Sequence, residues 1–100
     1  MNDPAVEREM LRNANTIAVV GLSDDASKAS NYVSRHMQVA GYRIIPVNPS
    51  VTEVLGEKAY ASLKDLPEKP DIVNVFRLPK FISAILDEMF ELWMKNLWVQ

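Results

Sequence analysis

The chain has 100 residues with a hydrophobic fraction of 48%, a formal net charge of −2 and no cysteine. This length and hydrophobic fraction suffice for one domain with a single core. The absence of cysteine excludes disulfides, thiolate metal sites and thiol catalysis. The small negative charge gives no general attraction to nucleic acid. No apolar run approaches the roughly 20 residues of a membrane span, and acidic residues stand where a signal peptide would be basic. We therefore expect a cytoplasmic protein without nucleic-acid or membrane partners.

Apolar periodicity divides the chain into alternating helices and strands. In chain order, the predicted elements are a leading helix within 1–14, a strand at 16–20, a helix at 30–40, a strand at 42–47, a short helix at 62–66, a strand at 71–76, a helix at 79–94 and a strand at 96–99. Asp3 and Pro4 are typical of the start of the leading helix. Gly41 is expected to end the second helix in a left-handed conformation.

Two finer expectations concern the second helix and the second strand. The residues of the helix that are expected to face the core are Val33, Met37 and Ala40. Pro46 has no N–H for a sheet ladder, so it is expected at an end or a bulge of its strand.

Strands that alternate with helices are typical of an α/β protein. The order predicts a Rossmann-like three-layer sandwich, in which a mostly parallel sheet carries helices on both faces. Right-handed crossovers would place the first strand centrally, with the loop after it at a topological switch point. We expect residues 1–100 to form one domain, with the leading helix in 1–14 and the Rossmann-like core in 15–100.

Residues 16–23 are the most informative stretch, because a β-branched strand stops at Gly21 and a polar loop follows. Glycine at the carboxyl end of a buried strand lets backbone N–H groups approach a phosphate without an intervening Cβ. A glycine at this point also occurs in tight turns that bind nothing. Both interpretations stay open on Gly21 alone.

Two fingerprints of nucleotide sites are missing from this loop. Residues 21–26 lack the second and third glycines of the dinucleotide pattern, and residues 26–28 lack the Gly-Lys-Ser/Thr ending of a P-loop. The second predicted strand ends in Asn48 and Pro49, where a dinucleotide site has an acid for the ribose hydroxyls. NAD is therefore disfavoured, whereas a nucleotide site in general is not.

Five segments carry a resemblance to a known family. They are IAVVGLS at 17–23, GYRIIPVNP at 41–49, LG at 55–56, YASL at 60–63 and DIVNVFR at 71–77. In this order and spacing the chain resembles the small stand-alone CoA-binding domain proteins, which are related to the CoA-binding half of the succinyl-CoA synthetase α subunit. The resemblance implies that the ligand is coenzyme A or an acyl-CoA and that no metal is needed.

The resemblance also implies roles for single residues. The loop at 21–23 would wrap the diphosphate, and the start of the next helix would supply a basic group and a hydroxyl. The end of the second strand would form the wall on the adenosine side. The end of the third strand would line the groove and reach a phosphate. The implied ligand-binding residues are Gly21, Leu22, Ser23, Lys28, Ser30, Asn48, Pro49, Phe76 and Arg77. Arginine and lysine suit the charge of such a ligand. Asp24 and Asp25 would repel it, so either they point outward or the affinity is modest.

Simpler interpretations of the same residues remain open. Lys28 is then an exposed loop lysine, Arg77 is a partner in a surface ion pair, and Ser30 is a helix N-cap. His36 is the only histidine and lies inside a predicted helix, which favours neither a metal nor a catalytic role. No nucleophile with a neighbouring base emerges, so a binding module is favoured over an enzyme.

The last predicted helix has more apolar surface than one sheet face covers. At 100° per residue its apolar side chains fill an arc of about 180°, whereas packing on a sheet needs little more than ~100°. The surplus edge predicts a homodimer interface formed by Leu86, Phe90, Trp93 and Met94. Family members continue past residue 100, so we expect the C-terminal part of the family fold to be absent. The alternative functions are an engineered or truncated scaffold with this interface and an NAD(P)-type oxidoreductase domain.

Overall fold

The computed structural model describes residues 15–76, 82–92 and 97–99. In chain order, its elements are β1 (Thr16–Val20), α1 (Ala29–Val39), β2 (Arg43–Val47), β3 (Glu53–Val54), β4 (Glu57–Lys58), a 3-10 helix (Leu63–Asp65), β5 (Ile72–Val75), α2 (Ile82–Glu91) and β6 (Leu97–Val99). The predicted leading helix lies outside the described residues, as do both ends of the predicted helix at 79–94. The other predicted elements are present, with ends that differ by at most one residue.

Four parallel strands form the main sheet in the order β2-β1-β5-β6, so β1 is central as predicted. Val20 pairs with Val47 on one side and with Val75 on the other. The carboxyl ends of three neighbouring strands therefore meet at one edge of the sheet. The segments that follow β1 and β2 are brought together there with Phe76, the residue after β5, as expected at a topological switch point.

Alternate residues of the strands pack on opposite faces of the sheet, because successive side chains of a strand point in opposite directions. One face packs against α1, and its fully buried members include Ile17, Val19 and Ile44. The other face packs against α2 and the 3-10 helix, and it buries Ala18, Val73 and Met89. Helices thus cover both faces of a parallel sheet, which confirms the predicted Rossmann-like α/β class.

The buried face of α1 is more polar than predicted. Met37 is buried as expected, but Val33 is half-buried and Ala40 is exposed, so the prediction for Ala40 was wrong. The buried residues are Ser30, Asn31, Ser34 and Met37. Ser30 and Asn31 hold the loop after β1 by hydrogen bonds. Because these bonds require polar groups, polar side chains stand at positions where apolar periodicity predicts aliphatic ones.

The turn after α1 follows the prediction for Gly41, which has a φ of 106°. The N–H of Tyr42 donates to the carbonyl of Met37 at 3.1 Å, and the N–H of Gly41 donates to that of Gln38 at 3.1 Å. This pair of bonds is the Schellman arrangement, which satisfies the last carbonyls of a helix. The glycine thereby ends α1 and returns the chain into β2.

Pro46 lies inside β2, so the prediction of an end or a bulge was wrong. It pairs with Val19 of β1, and its carbonyl accepts the N–H of Tyr60 at 3.0 Å on the opposite side. The N and the carbonyl of one strand residue point to the same side, so the missing N–H of Pro46 faces away from β1. An edge strand accepts proline on that side without loss of a ladder bond.

The small hairpin of β3 and β4 was not predicted. Its turn places Leu55 and Gly56 at φ values of 55° and 78°, a conformation in which glycine is favoured at the second position. The Gln38 side chain donates to the Leu55 carbonyl at 3.1 Å and ties the hairpin to α1. None of the helices in the described ranges has both the length and the apolar character needed to cross a membrane.

Candidate functional site

The loop after β1 leaves the sheet through a left-handed residue. Gly21 has a φ of 86°, which L side chains rarely adopt, so glycine is needed here for the backbone itself. Its N–H donates to the Val47 carbonyl at 2.8 Å, and the N–H of Phe76 donates to the Val20 carbonyl at 2.9 Å. These two bonds extend the ladders and tie together the ends of β1, β2 and β5.

The first turn of α1 holds the middle of this loop. The N–H of Ser23 donates to Ser30 Oγ at 3.0 Å, and Asn31 Nδ2 donates to the Ser23 carbonyl at 2.8 Å. The N-cap position belongs to Lys28, with a φ of −81° and a ψ of 145°, so the interpretation of Ser30 as the N-cap was wrong. Ser30 instead accepts a loop N–H and keeps its hydroxyl proton for donation to another group.

The end of β2 holds the loop from the other side. Asn48 Nδ2 donates to the Leu22 carbonyl at 3.0 Å, and Asn48 Oδ1 accepts the N–H of Ser50 at 2.9 Å. The Leu22 side chain is fully buried in the core on the α1 face. Only the backbone of Leu22 is therefore available at this edge of the sheet.

Two N–H groups at the start of α1 have no hydrogen-bond partner in the described part of the chain, those of Ala29 and Ser30. The N–H groups of a helix's first turn lack intrahelical partners, and the helix dipole adds a partial positive charge at that end. Together with the Ser30 hydroxyl, these groups form a set of donors beside Ser23. Such a set can bind a phosphate or another anion.

The Asp25 carboxylate is exposed and is hydrogen-bonded to Ser27. Its Oδ1 accepts the hydroxyl of Ser27 at 2.7 Å and the N–H of Ser27 at 2.9 Å. These two bonds, and to a lesser degree the charge of Lys28, hold the pKa of Asp25 below its usual value of 3.8, although desolvation opposes them. The expectation that Asp24 and Asp25 either point outward or make the affinity modest stays a prediction.

Asp25 gives a testable pH dependence. Because its pKa is lower in the folded protein, the stabilisation from this carboxylate is present above pH 3.8 and is lost as the pH falls through the folded value. An NMR titration of the Asp25 carboxyl carbon should give a midpoint below 3.8, and Ser27→Ala should move it back towards 3.8. Ser50→Ala serves as the control and should leave it in place. A midpoint unaffected by Ser27→Ala would contradict this assignment.

The structure brings together six of the nine ligand-binding residues implied by the resemblance through the bonds given above. They are Gly21, Leu22, Ser23, Ser30, Asn48 and Phe76. Lys28 is exposed at the N-cap of α1, and Pro49 is exposed directly after Asn48. Arg77 lies outside the described residues. Within the described ranges, no three acidic, histidine or cysteine side chains come together as a metal site would require.

The four predicted interface residues are only partly described. Leu86 has 45% of its surface exposed on α2. The side chain of Phe90 and the whole of Trp93 and Met94 lie outside the described residues.

Two residues that shape the site were missed by the sequence analysis. Asn31 is buried and holds Ser23, and its polar character on the inward side of a predicted helix was the available signal. Tyr60 accepts the Asn48 N–H through its carbonyl at 2.8 Å and forms a parallel bridge with Val47. A single bridging residue leaves no periodicity in the sequence, so the available signal for Tyr60 was its place in the YASL segment that carries the resemblance.

Solved structures share this fold closely. Prb, a protein redesigned for binding, superimposes with a TM-score of 0.93 at 32% identity, over 100% of this chain and 70% of its own. A protein from Thermus thermophilus gives a TM-score of 0.86 at 43% identity, over 98% of this chain and 74% of its own. These similarities hold across nearly the whole chain.

Sequence relatives are of two kinds. The protein YneT of Bacillus subtilis (strain 168) is 46% identical over 93 residues, which cover 93% of this chain and 69% of YneT. The acetate–CoA ligase (ADP-forming) II subunit alpha of Pyrococcus furiosus is 34% identical over 85 residues, which cover 84% of this chain but only 19% of that subunit. The sequence pattern of the CoA binding domain matches residues 15–100, and the chain therefore belongs to the CoA binding domain family.

Proposed function

We propose that this protein binds coenzyme A, with the diphosphate at the start of α1. The observation that carries the proposal is that the N–H groups of Ala29 and Ser30 have no partner among the described residues, at the helix start that holds the loop after the left-handed Gly21. Helix N-termini with free N–H groups are anion sites, and this one lies at the edge where α/β sheets bind ligands. We keep the roles that the resemblance implies for the site residues. For Leu22 the proposed contact with the ligand is made by the backbone alone.

The end of β2 supports CoA over NAD. A dinucleotide site uses a carboxylate there to bind the two ribose hydroxyls. Asn48 presents no carboxylate, and both ends of its amide are engaged within the protein. CoA carries a phosphate on the ribose 3′ oxygen, so an acid at this position would repel it. The neutral Asn48 side chain at the end of β2 is therefore compatible with CoA. The alternative of an NAD(P)-type oxidoreductase domain has no support from this position.

The basic residues that the resemblance assigns to the site are Lys28 and Arg77. Lys28 is exposed at the N-cap, and α1 contains no acidic residue. The Asp25 carboxylate, which interacts with the charge of Lys28, is also hydrogen-bonded to Ser27. We propose that Lys28 and Arg77 supply the charge that matches the phosphates of CoA, and that Phe76 and Pro49 line the groove.

We propose a binding module and not an enzyme. The name of the Pyrococcus furiosus relative describes a CoA ligase subunit, and this chain covers about a fifth of its length, so the proposal carries over the CoA site and no reaction. In the ranges that the structure describes, His36 is exposed on α1 without an acid or nucleophile bonded to it. The cytoplasmic location expected from the sequence forms part of this proposal.

Thermal unfolding with ligands tests the proposal. CoA, and to a smaller extent ADP, should raise the unfolding temperature more than NAD does at equal concentration. At about a hundred times its dissociation constant, CoA should add about 2.7 kcal/mol to the free energy of unfolding. A larger shift with NAD than with CoA, or no shift with CoA and ADP, would overturn the proposal.

We also propose that the exposed edge of α2 joins two copies of the chain. Leu86 is 45% exposed on that edge, and β6 lies at the edge of the sheet among the described strands. Light scattering should give a dimer at tens of micromolar, and Leu86→Glu should dissociate it. Val39→Glu is the matched control, because Val39 is 84% exposed on α1 and should not matter for the dimer. A clean monomer for the unmodified chain would contradict this proposal.

A further inference from the structure

Residues 60–63 border β2 at its carboxyl end. The N–H of Tyr60 donates to the Pro46 carbonyl at 3.0 Å, and the Tyr60 carbonyl accepts the N–H of Asn48 at 2.8 Å. The side-chain amide of Asn48 in turn donates to the Leu22 carbonyl at 3.0 Å. A series of hydrogen bonds therefore leads from residues 60–63 through Asn48 to the loop after β1.

The other end of this segment is bound to α2 by a carboxylate. Glu88 Oε1 accepts the N–H of Leu63 at 3.2 Å. Leu63 is the first residue of the 3-10 helix, and the N–H groups at the start of a helix lack partners within it. The N-cap residue Ser62 makes no side-chain cap bond, and its hydroxyl donates to Asp65 Oδ2 at 3.0 Å. Glu88 therefore supplies, from a different helix, the acceptor that a capping side chain usually provides.

Packing is incomplete between this segment and α2. A cavity of about 300 Å³ lies between them, bounded by the ends of β1 and β2, by residues 61–63 and by the face of α2 that carries Ile85 and Glu88. Side chains on opposite walls of a cavity do not contact each other, so they do not fix the distance between the walls. The bond from Leu63 to Glu88 therefore has a large part in fixing the position of this segment relative to α2.

We propose that Glu88 is a positioning residue for the CoA site. Its carboxylate holds residues 60–63, these hold Asn48, and Asn48 holds the loop at 21–23. Glu88 acts through this series of hydrogen bonds and not by contact with the ligand. The inference rests on the proposed CoA function, and it adds a residue that shapes the site from a distance.

Glu88 affects CoA binding by two routes with opposite signs. As a hydrogen-bond acceptor it keeps the loop at 21–23 in place, which favours binding. Its negative charge lies on the same cavity as Val20 and Val47 at the ends of their strands, where it repels the phosphates of CoA. Because Glu88 is only half-buried, water and salt screen this repulsion, and we expect the hydrogen bond to outweigh it.

Titration calorimetry with CoA on variants of Glu88 separates the two routes. Glu88→Ala removes both the acceptor and the charge, and it should lower the affinity about fivefold, which corresponds to the ~1 kcal/mol of one typical hydrogen bond. Glu88→Gln removes the charge but keeps an oxygen that accepts the Leu63 N–H, so its affinity should stay within about twofold of that of the unmodified protein. Glu88→Leu lacks an acceptor but keeps the apolar bulk, and it should lose as much affinity as Glu88→Ala.

Two controls and one spectrum complete the test. Asp87→Ala removes the same charge from the neighbouring exposed position of α2 and should leave the affinity unchanged. Gln38→Ala removes a side-chain bond to a backbone carbonyl of the hairpin, so it should lower the stability but not the affinity. In ¹⁵N spectra without ligand, the amide signals of Asn48 and Leu63 should shift in Glu88→Ala and keep their places in Asp87→Ala.

Unchanged affinities of Glu88→Ala and Glu88→Leu for CoA would overturn the role of Glu88 and leave the CoA function standing. Tighter binding by Glu88→Ala and Glu88→Gln alike would also overturn it, because the charge would then be the dominant effect. An equal loss of affinity in Glu88→Gln and Glu88→Ala would overturn it as well, because the amide oxygen would then fail to replace the carboxylate. Failure of the unmodified protein to bind CoA would overturn the proposed function and this inference with it.

Discussion

Gly21→Ala should lower the affinity for CoA by at least about tenfold, equivalent to 1.4 kcal/mol or more. The residue has a φ of 86°, where an L side chain costs about 1–2 kcal/mol. The added Cβ also stands at the carboxyl edge of β1, where the phosphate must approach the backbone. Titration calorimetry with CoA gives the affinity, and chemical unfolding gives the stability.

Gly41→Ala is the control that separates backbone strain from loss of the site. Gly41 also has a positive φ, of 106°, and a Cβ added there meets nothing within 4 Å. It follows the C-terminal end of α1, away from the loop at 21–23. Gly41→Ala should therefore lose a similar amount of stability and bind CoA normally. Equal affinities for CoA in both variants would show that Gly21 serves only the turn.

Asn31→Ala should weaken both the fold and the site. Its amide donates to the Ser23 carbonyl at 2.8 Å, and the side chain is buried. Removing it leaves this carbonyl without its partner, which costs about 1–3 kcal/mol. The loop then loses the bond that positions Ser23 against Ser30, so the affinity for CoA should fall by about tenfold.

Gln38→Ala provides a matched comparison on the same helix. Gln38 Nε2 donates to the Leu55 carbonyl at 3.1 Å, which is the same kind of amide-to-carbonyl bond at the far end of α1. This variant should lose stability without a change in the affinity for CoA. If Asn31→Ala also leaves the affinity unchanged while it lowers stability, Asn31 supports the fold and not the ligand.

The sheet could be predicted because its strands carry two strong signals. β1 is a run of five buried residues that ends at Gly21, and the pattern from β1 to β5 alternates strands with helices. A parallel sheet that is covered on both faces requires such continuous apolar runs. These signals are local in sequence, so they gave the number, type and order of the main elements and the position of the loop.

The features that the sequence did not reveal depend on contacts between distant residues. Pro46 is tolerated inside β2 because its nitrogen faces away from β1, on the side of the strand where Tyr60 lies. The sequence of β2 alone does not show which side that is. The polar inner face of α1 depends on the carbonyl and the N–H that Ser23 presents to it. Neither fact is contained in the periodicity of a single element.

The candidate site likewise has parts that the sequence predicts and parts that it does not. Gly21 and Asn48 follow strands directly, so their meeting at one edge could be predicted from topology, and hydrogen bonds now join their segments. Glu88 lies on the second turn of α2, and its carboxylate accepts the Leu63 N–H only because α2 packs beside the 3-10 helix. This contact between distant segments was therefore beyond the sequence pattern.

An NMR titration with CoA tests the central claim most directly. In a ¹⁵N-labelled sample, the amide signals of Leu22, Ala29 and Ser30 should show the largest chemical-shift changes, followed by those of Asn48 and Phe76. The amides near Gly41 and Gly56, at the opposite end of α1 and in the hairpin, should stay in place. Changes centred away from the loop at 21–23 and the start of α1, or no changes at saturating CoA, would contradict the account.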